Sequence, residues 1–233
     1  MEKKESLKPK AEEADFKPKA GGGGGGISGK FSELYSKLFG VIKFILGICL
    51  LPFVYSSSSA FLGQFGIIDK GLQNCLWSGV AAFLIIYLFI WEPAPVYTKG
   101  HQILELIFNF FKPLVKVAPF LLPIYTIVFL AFYGLLTLFI KGGWLIQYAM
   151  FLFGFTIILH LVFSSKSIRT KKGDFLKGNY IFGFSFIYIL NVSILAFGLN
   201  CIFQGFSFIN FCNNTYSEAG NIFYAIFKQL FLR

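Results

Sequence analysis

Five long apolar stretches with very little charge dominate this sequence. They cover residues 38–57, 72–91, 117–140, 144–163 and 179–203. Each is close to the length of roughly 20 residues that a helix needs to cross a bilayer. Inside a bilayer the backbone N–H and C=O groups must be paired within the chain, and a helix does this within a single segment. The sequence therefore predicts an all-α, polytopic transmembrane helical bundle with five spans.

The composition agrees with a bilayer as the solvent of most of the chain. Hydrophobic residues make up 56% of the 233 residues and charged residues only 14%, whereas charged residues make up about 25% of a typical soluble domain. The loops leave no room for a separate soluble catalytic domain. The sequence shows no set of nucleophile, base and orienting residue, so we expect no enzymatic activity and no cofactor.

The two ends of the chain differ from the membrane domain, which we place at residues 31–205. Residues 1–30 are rich in Lys, Glu, Pro and Gly and carry few large apolar side chains, so they are predicted to be a disordered tail. Residues 206–233 are predicted to form a separate segment that ends in an amphipathic helix. The length of that helix leaves open a sixth span or a re-entrant segment.

The basic residues indicate the orientation of the spans. The second and fourth loops between spans contain eight Lys and Arg residues, and the first and third loops contain two. Short loops rich in Lys and Arg stay on the cytoplasmic side, so the N-terminus is predicted to be cytoplasmic and residues 206–233 extracytoplasmic. A bacterial inner membrane and a eukaryotic endomembrane both fit this pattern. The net charge of +10 is thereby explained by topology, without a nucleic-acid partner.

Three segments have the helical alternation of apolar and polar residues that is typical of helices lying at a membrane surface. They are residues 31–39, residues 102–111 in the second loop and residues 221–231 at the C-terminus. Such segments suit contact with the lipid bilayer or with a partner protein.

Glu92 is the acidic residue that directly adjoins a predicted span, in the sequence Trp91-Glu92-Pro93-Ala94-Pro95. A carboxylate at a pore mouth can coordinate a hard cation, which makes Glu92 a candidate for an ion pathway. The more ordinary interpretation is a residue at headgroup level that ends a helix beside an anchoring Trp.

His160 lies at membrane depth in the predicted fourth span, and Asn191 and Asn200 lie in the predicted fifth span. A proton pathway needs a chain of ionisable groups, which the two asparagines do not supply. We therefore interpret His160 as a hydrogen-bonding group that contacts a neighbouring helix.

The four cysteines show no ligand spacing for a metal, so no metal site is predicted. Cys75, Cys201 and Cys212 fall on the predicted extracytoplasmic side. A disulfide between two of them is a candidate in an oxidising compartment, and spacing does not decide which pair.

Residues 31–172 resemble the Flower family and related Golgi vesicle membrane proteins. The resemblance rests on the stretch Tyr35 to Gly40, on Glu92-Pro93-Ala94-Pro95, and on the proline-led third span that forms a hairpin with the fourth. It implies a four-span vesicle membrane protein with a proposed calcium-channel role, in which Glu92 corresponds to an acidic residue that precedes a proline at the end of the second span. The fifth span, the amphipathic C-terminus and the Lys- and Gly-rich tail depart from the family.

The neutral spans and the surface helices together favour a non-enzymatic subunit or scaffold of a larger membrane assembly. Its expected partners are the lipid bilayer and other membrane proteins or further copies of the chain. Small residues such as Gly79, Gly183 and Gly198 allow the close helix approach on which association in membranes depends. The alternative is a component of a cation channel or of a small-solute transporter that uses Glu92.

Overall fold

The computed structural model describes residues 27–110, 117–140, 142–170 and 180–231. Two compact units divide the chain, residues 1–38 and residues 39–233, and the bundle discussed below is the second. In the described residues every regular element is helical, which confirms the all-α prediction. The helices are α1 (Ile27–Phe65), α2 (Lys70–Ile85), α3 (Ala94–Ile107), α4 (Ala118–Leu121), α5 (Ile124–Phe139), α6 (Gly143–Thr170), α7 (Tyr180–Ile202) and α8 (Phe208–Phe231). A π-helical turn, Ile86–Ile90, extends α2.

Four helical segments of the described chain are long and apolar enough to cross a membrane: Leu38–Phe65, Lys70–Ile90, Gly143–Arg169 and Tyr180–Ile202. They coincide with the predicted first, second, fourth and fifth spans. The predicted third span corresponds to α5, which is apolar but has only 16 residues. At about 1.5 Å per residue this helix is shorter than the roughly 30 Å hydrocarbon core.

The first helix is longer at both ends than the sequence predicted. It begins at Ile27, inside the segment predicted as a disordered tail, while residues 1–26 lie outside the described part of the chain. The predicted end of the first span at residue 57 is wrong, because the helix continues through the serine run to Phe65. The hydroxyls of Ser57 and Ser58 donate back to the carbonyl of Val54 at 3.1 and 2.7 Å, so these serines are accommodated inside the helix.

The prediction of one continuous third span over residues 117–140 is also wrong. The segment divides into the single turn α4 and the helix α5, with an extended residue, Leu122, between them. Pro123 lacks an N–H and cannot continue the helix of α4. The predicted hairpin of the third and fourth spans is present: the hydroxyls of Thr126 and Thr156 lie 2.9 Å apart, and the rings of Tyr133 and Phe153 lie 6.5 Å apart. These two contacts make α5 and α6 antiparallel.

The centre of the bundle is the close crossing of α2 and α6. The rings of Phe83 and Phe155 and those of Tyr87 and Phe163 are in contact at 5.4 and 5.9 Å, so the two helices run parallel. A Cβ atom on Gly79 would overlap the carbonyl oxygen of Phe151, and one on Gly154 would overlap the carbonyl oxygen of Leu76. The two backbones therefore touch where each helix presents a glycine. Gly79, predicted as a position of close helix approach, makes that approach between two helices of the same chain.

The last helix, α8, packs along α1. The rings of Phe53 and Phe223 lie 5.9 Å apart, and the Ser59 hydroxyl donates to Glu218 Oε1 at 3.3 Å. Residue numbers rise on one helix as they fall on the other, so the two helices run antiparallel at this point. The predicted amphipathic helix is thus present and longer than expected, beginning at Phe208, and it is not among the four segments with the apolarity of a span.

Candidate functional site

The candidate site lies where α2 ends, at the end of the bundle that we call the Glu92 end. The π-helical turn closes with the N–H of Trp91 donating to the carbonyl of Ile86 at 2.9 Å. Glu92 and Pro93 follow, and α3 begins at Ala94 with Pro95 in its first turn. Proline is tolerated there because the first N–H groups of a helix have no intrahelical acceptor. The chain therefore turns sharply and brings α3 across the end of α6.

A half-open cavity of about 360 Å³ lies between α3, α4 and the end of α6. Its walls combine charged, polar and aromatic side chains. Those used below are Glu92, Thr98, Phe120, Phe163, Lys166 and Ser167. A volume of this size falls in the range of small-molecule sites, about 300–1,000 Å³.

Glu92 and Lys166 form an ion pair at the mouth of this cavity. Their side chains are 45% and 51% exposed, so solvent screens the pair and it contributes little to stability. The pair also changes the charge of the site, because Lys166 neutralises the carboxylate that was predicted as a cation ligand. Among the described residues no group of three His, Cys, Asp or Glu side chains could hold a metal ion.

His160 connects the end of α6 to α4 and α3. Its Nε2 atom donates to the carbonyl of Phe120 at 3.1 Å, and the Ser164 hydroxyl lies 3.1 Å from the same nitrogen. The hydroxyls of Ser164 and Tyr97 are 3.2 Å apart. Burial raises the pKa of the Tyr97 phenol, so this group remains a neutral donor at physiological pH. The chain of contacts locks α3 and α4 onto α6.

Asn191 plays the corresponding role from α7. Its amide nitrogen donates to the carbonyl of Leu121 at 3.0 Å and to that of Ile187 at 2.8 Å. The carbonyls of Phe120 and Leu121 lie in α4, which ends just before Pro123. The N–H groups that would donate to these carbonyls in a continuous helix are displaced by the extended Leu122. Neighbouring side chains commonly satisfy carbonyls that a proline frees inside a membrane. His160 and Asn191 therefore fit a structural function, which is the interpretation we favoured for His160.

The remaining predicted residues lie elsewhere in the bundle. Asn200 is exposed, and its side-chain oxygen accepts the N–H of Phe208 at 3.0 Å, which caps α8. The cysteines predicted as disulfide candidates, Cys75, Cys201 and Cys212, are free thiols in the structure. The structure thus brings Glu92 and His160 together at one end and leaves Asn200 and the cysteines apart from them.

The sequence did not reveal a second acidic residue, Glu218, which contacts a span that is distant from it in the chain. Glu218 on α8 reaches the serine run of α1, where Ser59 donates to Oε1 at 3.3 Å. Its second oxygen, Oε2, is buried and has no hydrogen-bond partner among the described residues, and the same holds for the Oγ atom of the fully buried Ser56. The amphipathic pattern of residues 206–233 was the available signal, since Glu218 lies beside Ala219 on the packed side of that helix.

We expect Glu218→Gln to stabilise the protein by about 1 kcal/mol, because a buried carboxylate oxygen without a partner costs free energy. Thermal unfolding in detergent micelles measures the change. Glu105→Gln is the matched control: Glu105 is 48% exposed and pairs with His101 on the same helix, so little change is expected. A clear loss of stability in Glu218→Gln alone would mean that the carboxylate has a stabilising partner.

Known protein families, curated proteins and solved structures offer no match to this chain.

Proposed function

We propose that this multi-pass membrane protein is a non-enzymatic subunit or scaffold of a larger membrane assembly, and that α1 carries the contact with a partner. The supporting observation is how little α1 is buried. In the most apolar 18 residues of the α1 span, 11% of the residues are buried. The corresponding share is 50% in the span of α6 and 50% in the span of α7. One side of α1 contacts this bundle, and the rest of a long apolar helix remains free to contact another membrane helix.

The exposed surface of α1 combines large apolar side chains with small residues. Ile42, Ile45, Ile48 and Leu51 are each 43–54% exposed. Gly40 and Gly63, in the same span, have open space where a Cβ would lie. Lipid tails are as apolar as Leu, so helices associate in membranes by close packing, which small residues permit. This surface suits a helix of another subunit or of a second copy.

Site-specific photocrosslinking in the native membrane tests the proposal. A photoreactive residue at Ile45, which is 54% exposed, is expected to give a discrete protein adduct. The matched control is Leu138 on α5, which is 73% exposed and is expected to give mainly lipid adducts. Lipid adducts from both positions would contradict the proposal.

The alternative, a cation channel or transporter component that uses Glu92, has less support. The pairing of Glu92 with Lys166 places a positive charge where an entering cation would bind. His160, which a proton pathway would need, is engaged with the backbone carbonyl of Phe120. Cation flux through reconstituted protein that is lost in Glu92→Gln would restore this alternative.

A further inference from the structure

The cavity at the Glu92 end lies where two of the apolar spanning segments end. The second span ends at Ile90, two residues before Glu92, and the span of α6 ends at Arg169, three residues after Lys166. Ends of spanning helices mark the boundary between hydrocarbon and headgroups. Trp91, which is 53% exposed, has the side chain that is typical of that boundary.

The lining of the cavity is divided in a way that matches an amphiphile. Phe120 and Phe163 give it an apolar wall, Lys166 gives it a positive charge, and Thr98 and Ser167 give it hydroxyl groups. Soluble small anions need no apolar wall. A phospholipid presents a phosphate and, beyond the glycerol and its ester groups, apolar acyl chains.

Two basic residues that lie close in the sequence to lining residues of the cavity favour an anionic lipid. Lys99 follows Thr98 on α3 and is exposed, and Arg169 lies in the last turn of α6. Basic pockets between transmembrane helices bind phosphorylated headgroups, and basic residues near the surface attract anionic lipids. Glu92 then competes with the lipid, because its carboxylate pairs with the Lys166 ammonium group to which a phosphate would bind.

We propose that this cavity binds the headgroup of an anionic phospholipid. The lipid phosphate pairs with Lys166 in place of Glu92, while the start of the acyl chains packs against Phe120 and Phe163. This inference does not depend on the scaffold function, since a lipid site can exist with or without a protein partner. It assigns Glu92 a role opposite to that of a cation ligand, because here the carboxylate weakens binding.

Native mass spectrometry of protein in nanodiscs with varied phosphatidylglycerol and phosphatidylcholine tests the proposal. We expect the wild type to retain phosphatidylglycerol preferentially. Lys166→Gln should weaken phosphatidylglycerol binding about tenfold, whereas Glu92→Gln should strengthen it several-fold by releasing Lys166. Lys166→Arg should restore binding. The matched control is Lys70→Gln, an exposed lysine at the opposite end of α2, which should leave it unchanged.

Two results of the lipid comparison would overturn the proposal. One is equal retention of the two lipids by wild type and Lys166→Gln. The other is weaker phosphatidylglycerol binding in Glu92→Gln, which would indicate a cation bridging the carboxylate and the lipid. Competition with inorganic phosphate distinguishes the source of the phosphate: we expect millimolar phosphate not to displace the lipid, and full displacement would indicate a small-anion site instead. Both side chains of the ion pair are about half-exposed, so the variants are expected to remain folded.

Discussion

Gly79→Ala is expected to destabilise the bundle by about 3 kcal/mol. The added methyl group would overlap backbone atoms, which cannot move aside as a flexible side chain could. The added Cβ would overlap the carbonyl oxygen of Phe151, and α2 and α6 would have to separate. Gly154→Ala should have a similar effect from the other side of the crossing, where the Cβ would meet the carbonyl oxygen of Leu76. Thermal unfolding in micelles, followed by the fluorescence of Trp77 and Trp144, measures the loss.

Gly134→Ala is the matched control, since Gly134 is also inside a helix and a Cβ there has nothing within 4 Å. It should leave stability unchanged or raise it by up to about 1 kcal/mol, the gain expected from helix propensity. The double variant Gly79→Ala and Gly154→Ala should lose less than the sum of the single losses, because one separation of the helices relieves both overlaps. Losses no larger than that of the control would mean that the backbones of α2 and α6 do not touch.

The crossing illustrates what the sequence alone can predict. The spans of α2, α6 and α7 follow from their apolar length, which is a local property, and the structure places them within a few residues of the prediction at most ends. Gly79 was recognisable as a small residue in a span. Its partner Gly154 was not recognisable, because neither composition nor spacing determines which two spans lie side by side.

The errors have equally local causes. The predicted first span ends at residue 57, within the run of serines from Ser56 to Ser59. The run did not end the helix because Ser57 and Ser58 bond to the backbone one turn earlier. Pro123 was expected in the first turns of the third span, where a proline is tolerated or produces a local kink, and a complete break was not predicted. Here Pro123 lies five residues after Ala118, where α4 begins, and therefore beyond the first turn.

Parts of the site were predictable and parts were not. Glu92 and His160 were visible as rare polar residues beside or within apolar segments, and such residues are commonly functional or paired. Lys166 was attributed to topology alone, since its partner is 74 residues away in the chain. Glu218 was missed for the same reason: its neighbour Ser59 is 159 residues distant.

The second large effect is expected at the two side chains that donate hydrogen bonds to the carbonyls before Pro123, His160 and Asn191. His160→Leu should destabilise the protein by about 2–3 kcal/mol, because the buried hydrogen bond that His160 donates to the carbonyl of Phe120 is lost. Asn191→Leu should do the same at the carbonyl of Leu121. His160 and Asn191 are 4% and 0% exposed, so water is not expected to replace them. Gln147→Leu, an exposed substitution on the same helix as His160, should have little effect.

A second substitution distinguishes this explanation from a simple loss of packing. Pro123→Ala restores a backbone N–H and allows α4 to continue into α5, so that N–H groups of the chain itself can reach the carbonyls of Phe120 and Leu121. In that background His160→Leu should cost at least 1 kcal/mol less than in the wild type, as a double-mutant cycle would measure. If the cost is the same in both backgrounds, His160 stabilises the bundle through its ring packing against Tyr97, at 5.9 Å, and not by satisfying the turn that Pro123 breaks.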